Sequence, residues 1–76
     1  MTYQEMQFEV IKALRNKFLG NQKAKPLIAG VVVSVTYAHI NNPDEMAVID
    51  SIIGGTEIIE SHLSKVSRSR RETVRG

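Results

Sequence analysis

Cysteine is missing from this 76-residue chain, which excludes disulfides and every thiolate-based reaction. That absence suits a reducing compartment. Two histidines, His39 and His62, and scattered carboxylates such as Asp44 and Asp50 are too few to hold a structural metal. Neither histidine belongs to an HExxH pattern, and Gly54 and Gly55 lack the GxxxxGK[ST] frame of a phosphate loop. The longest apolar run, residues 27–40, falls short of the ~20 residues that cross a bilayer as a helix. It also lacks the position and cleavage pattern of a signal peptide. These absences lead us to expect a cytoplasmic protein with no cofactor, no metal and no membrane partner.

Size sharpens the expectation. A chain this short buries only about 60% of the surface its unfolded form exposes. A core of that size rarely supplies more than ~3–5 kcal/mol without a disulfide, a metal or a partner chain. With the first two set aside, association with itself is the remaining staple, and an obligate homo-oligomer is expected.

Lysine and arginine are absent from residues 27–63, which hold only Asp44, Glu45, Asp50, Glu57 and Glu60, a net −5. Residues 1–26 carry Lys12, Arg15, Lys17, Lys23 and Lys25 against Glu5 and Glu9, a net +3. Residues 64–76 carry Lys65, Arg68, Arg70, Arg71 and Arg75 against Glu72, a net +4. The chain is basic at both ends and acidic between them. Such partition speaks of partners and of self-complementarity.

What is present reads mainly as helix. In "TYQEMQFEVIKALRNKFLG", Thr2 is placed to cap the helix and Glu5 to complete a capping box. Tyr3, Met6, Val10, Ile11, Leu14 and Phe18 recur at three- and four-residue steps and make one apolar face. Phe8 and Leu19 fall off that stripe and leave room for a second, smaller contact surface. Gly20 suits the stop, and Pro26 suits the first turn of the next helix. Farther on, Asn42, Pro43 and Glu45 form a start signal, with Asn42 as cap. Val48 or Ile49, Ile52, Thr56, Ile59, Leu63 and Val66 then keep helical spacing. Gly54 and Gly55 interrupt them at up to about 1 kcal/mol each.

The segment "LIAGVVVSVTYAHI", residues 27–40, decides the fold class. Its β-branched and aromatic content favours a strand. Nothing else in the chain reads as a partner strand, so that alternative requires an α+β helix–strand–helix chain whose 27–40 strand pairs across a dimer. Length favours a helix. Gly30, Ser34 and Ala38 lie four apart, as do Ala47, Ser51 and Gly55, so two helices joined near Asn41 and Asn42 would each carry a ridge of small residues. Such ridges permit close helix approach. The expected architecture is all-α: helices over about 2–19, 26–40 and 43–66, the last two forming a central hairpin, in an obligate homo-oligomer. Residues 1–66 make one oligomerisation domain, and 67–76 a basic, flexible tail. The two small-residue ridges are the expected helix-packing or oligomer interface.

Chemistry is sparse. His39 is placed to hydrogen-bond Asp44 or Glu45 across the turn, and Glu57 with Glu60 reads as a solvated face. No nucleophile–base pair stands out, and an enzyme is not expected. The basic tail is the one feature that carries a function directly. Lys65, Arg68, Arg70, Arg71 and Arg75 suit phosphate, with no interleaved aromatic for base stacking. The expected function is a non-enzymatic, homo-oligomeric regulator or adaptor that binds another macromolecule or a ligand at a subunit interface. Contact with nucleic acid through the tail is the alternative.

Overall fold

A computed structural model describes the backbone of residues 1–75 and the side chains of residues 1–65. Three helices follow in order: α1 (Tyr3–Lys17), α2 (Lys25–Thr36) and α3 (Glu45–Arg75), with a 3₁₀ turn (Tyr37–His39) after α2. No strand occurs among the described residues. The fold is all-α, and the strand alternative for 27–40 is overturned. A valine or threonine in a helix costs at most ~0.7 kcal/mol relative to alanine. A lone strand would leave its backbone groups unpaired, whereas a helix satisfies its own.

Helix α1 begins with the expected capping box. The Glu5 backbone N–H donates to Thr2 Oγ1 at 3.1 Å, and the Thr2 backbone N–H donates to Glu5 Oε1 at 2.9 Å. The Thr2 backbone and then its side chain hold the Glu5 carboxyl below the ordinary carboxylate range. After the helix, Gly20 takes a φ of 85°, a left-handed turn that glycine enters without strain. Asn21 Oδ1 then accepts from the backbone N–H groups of Lys23 and Ala24, turning the chain into α2.

Helix α2 is shorter than its sequence suggests. The last turn before Asn41 and Asn42 tightens, with Ile40 N–H donating to the Tyr37 carbonyl at 3.3 Å. The start of α3 also differs from the expected one. Asp44, not Asn42, caps it: the Ala47 backbone N–H donates to Asp44 Oδ1 at 2.8 Å. Pro43 therefore precedes the cap and does not occupy the first helical turn. Gly54 and Gly55 lie inside one uninterrupted helix. The proposed basic tail, 67–76, lies outside the described side chains.

The helices pack pairwise around one core. Met6, Val10 and Leu14 from α1, Ile28 and Val32 from α2, and Ala47 and Ile59 from α3 are buried. Tyr3 Oη and Gln7 Nε2 approach Thr36 Oγ1 at 3.1 and 3.3 Å, which sets the start of α1 beside the end of α2. Thr36 Oγ1 itself donates to the Val32 carbonyl at 2.6 Å, so it accepts from Tyr3 and Gln7. This is how a fully buried hydroxyl is satisfied in a core of this size. Between α2 and α3, Asp50 faces His39, Ser51 faces Val35, and Gly55 faces Val31. Residue numbers fall along α2 as they rise along α3, so the two run antiparallel, as the hairpin reading requires.

Candidate functional site

Two surfaces stand out once the core is filled. The first is the outer face of α2 and of the 3₁₀ turn that continues it. Ala29, Gly30, Val33, Ser34, Tyr37 and Ala38 recur at three- and four-residue steps and are all exposed. Val33 is 58% exposed, Tyr37 69%, and Ile40 beyond them 48%. No Lys, Arg, Asp or Glu occurs between Pro26 and Pro43. Ser34 Oγ donates to the Gly30 carbonyl at 3.1 Å, back along its own helix. That bond engages the hydroxyl's proton, so the side-chain polar groups left on the face are the Ser34 oxygen as an acceptor and the Tyr37 phenol. Contiguous exposed apolar surface of this kind marks interaction sites on soluble proteins.

The two small-residue ridges meet different fates. Gly30, Ser34 and Ala38 are exposed, and a Cβ added at Gly30 would meet nothing within 4 Å. Ala47, Ser51 and Gly55 are buried. A Cβ at Gly55 would lie 3.0 Å from Leu14 Cδ1 and 3.3 Å from Val31 Cγ1. Ser51 Oγ reaches the Val35 carbonyl at 3.5 Å. The ridges do not pair with each other inside the chain. The α3 ridge receives the valines of α2 and Leu14 of α1, while the α2 ridge points outward. The reason is volume: α2 turns its bulkier side, with Ile28 and Val32, toward the core.

The second surface is a groove of about 660 Å³ between the first turns of α1 and the start of α3. Met1, Phe8, Val48 and Ile49 give it apolar walls, and Gln4, Glu5, Glu9 and Glu45 give it a polar rim. Phe8 is 59% exposed and Ile49 53%. Lys12 Nζ sits 5.6 Å from the Phe8 ring centroid and 3.9 Å from Glu9 Oε1, a loose and exposed pairing. The sequence flagged Phe8 as off the main stripe, but nothing in it brought Phe8 to Glu45 and Ile49.

The remaining polar residues have structural places. His39 Nε2 lies 3.4 Å from Asp50 Oδ2, about one and a half helical turns farther along the chain than the Asp44 or Glu45 expected. His62 lies on the exposed side of α3 beside Glu57 and Lys65. No group of three or more metal-ligating side chains occurs among the described residues, and no helix there is long and apolar enough to cross a membrane. Thr56 Oγ1 is buried without a partner. Of the five tail cations, Lys65 is exposed; Arg68, Arg70, Arg71 and Arg75 lie outside the described side chains.

Compared with known proteins, the chain has no significant match to a family model, to a curated protein or to a solved structure.

Proposed function

We propose that this protein is a non-enzymatic, homo-oligomeric interaction protein, a regulator or adaptor that binds a macromolecular partner or a ligand at a subunit interface. The observation that carries the reading is the outer face of α2. It is uncharged from Pro26 to Pro43 and exposes Val33, Tyr37 and Ile40. Packing that face against its own copy removes apolar surface at ~25 cal/mol per Å². The small side chains of Gly30, Ser34 and Ala38 let the two helices lie close, as small-residue faces do.

The test is the mass of the full chain in solution by light scattering, across a concentration series. A multiple of the 8.5 kDa protomer is expected. Tyr37→Glu puts a charge in the face, and Ser34→Leu props the helices apart. Each should lower the mass while leaving the helical circular dichroism spectrum intact. A protomer mass at every concentration, or an assembly indifferent to both substitutions, overturns the reading.

A further inference from the structure

We propose that the groove between α1 and α3 receives the basic segment 64–76 from a second copy of the chain. This extends self-association to a second surface and does not depend on contact through α2. The groove offers apolar walls, Phe8 and Ile49 among them, beneath a carboxylate rim. Glu9 and Glu45 carry the charge argument, because Glu5 is engaged with Thr2 and feels the Met1 amino group. Lys12 offsets Glu9 only loosely at 3.9 Å.

The chain itself contains the complement. Residues 64–76 read SKVSRSRRETVRG: four arginines, one lysine and one glutamate, with Val66 and Val74 eight residues apart, about two helical turns. Arginine suits carboxylate recognition because its planar fork binds both oxygens at once. Geometry excludes the same chain as donor. α3 is one helix over Glu45–Arg75, so at about 1.5 Å per residue Arg70 lies roughly 33 Å along the axis from Val48. A second copy is free of that constraint, and its acidic groove can take the first chain's segment in return. Exposed charge pairs contribute little affinity singly; here they set register and orientation over the apolar walls.

The test uses the full chain. Ser69→Cys introduces a single thiol for a nitroxide label, the chain having no cysteine of its own. Labelled protein is mixed with ¹⁵N-enriched wild type, which carries no thiol. The amides of residues 4–9 and 45–49 should lose intensity, and Glu9→Lys with Glu45→Lys in the ¹⁵N copy should restore them. The same reversals should weaken association roughly fivefold or more at low salt. Adding Arg68→Glu and Arg70→Glu to the labelled copy should recover it. Running the mixture in the Tyr37→Glu background separates the two surfaces: groove broadening should persist there whatever becomes of the α2 contact. Broadening confined to residues 29–40, or none above the level of random collision, overturns the proposal. So does a tail that binds a short DNA duplex with salt-dependent affinity and leaves the groove amides unchanged.

Discussion

Gly30, Ser34 and Ala38, along α2 and the turn after it, and Ala47, Ser51 and Gly55 on α3 share the same spacing and the same composition, one glycine, one serine and one alanine each. One trio is exposed and the other is buried, with Gly55 against Leu14 and Val31 and Ser51 against Val35. Spacing alone therefore does not say which face of a helix turns inward. The deciding quantity is the volume opposite the small residues. On α2 the flank that carries Ile28, Val32 and Thr36 fills the space between α1 and α3, so the small ridge is left outside. On α3 the other faces carry Glu45, Asp50, Glu57 and Glu60, all exposed, and burying one of those carboxylates would cost far more than burying serine.

The largest expected effect breaks the comparison at its middle members. Ser51→Leu forces a large side chain into a site that is 1% exposed and already closed by α2. Overpacking of this kind costs ~1–3 kcal/mol or more, a substantial fraction of the few kcal/mol available to a core of this size. Ser34→Leu adds the same atoms in open surface and should move protomer stability by less than ~0.5 kcal/mol. Urea denaturation followed by circular dichroism at low protein concentration measures both. Equal losses at the two positions would show that the ridges are equivalent after all.

The sequence made some of this plain and hid the rest for physical reasons. Helix α1 was legible because its signals are local: the capping box at Thr2 and Glu5, and an apolar stripe that includes the buried Met6, Val10 and Leu14. The helical state of α2 followed from its length and from the lack of any partner strand. Its orientation did not, because residues 27–40 carry no charge on any side to mark the solvent face. The cap of α3 was misplaced by two residues, since Asn42 and Asp44 are both competent acceptors and only the path of the turn selects Asp44. The groove was invisible because its walls come from Phe8 and Ile49, distant in sequence and joined only when α1 lies beside α3. Its acidic rim was half legible in the charge partition of the chain.

Adjacent glycines give a finer version of the same contrast. Gly54 and Gly55 both sit in the interior of α3, so alanine at either gains up to about 1 kcal/mol of helix propensity. At Gly54 the new methyl would meet only Val35 Cγ1 at 3.6 Å, an ordinary contact. At Gly55 it would press on Leu14 Cδ1 at 3.0 Å and Val31 Cγ1 at 3.3 Å. Leu14 is fully buried and has little room to withdraw, and a close-packed interior transmits such strain. Gly54→Ala should stabilise the chain by ~0.5–1 kcal/mol, and Gly55→Ala should fall at least ~1 kcal/mol below it. A thermal melt of each variant gives the ordering, and Gly55→Ala matching Gly54→Ala would mean that Leu14 is not held where the packing places it.

The smallest effect is at Gly30, and it separates two consequences of one substitution. Nothing lies within 4 Å of a Cβ there, so Gly30→Ala should raise protomer stability by ~0.5–1 kcal/mol through propensity alone. If two copies meet along this ridge, the same methyl sits between their backbones and association should weaken even as the protomer melts later. Denaturation at low concentration reads the first consequence, and light scattering at high concentration reads the second. A chain that melts later and still associates as before would place Gly30 outside the contact and leave Val33, Tyr37 and Ile40 to carry the face without close backbone approach.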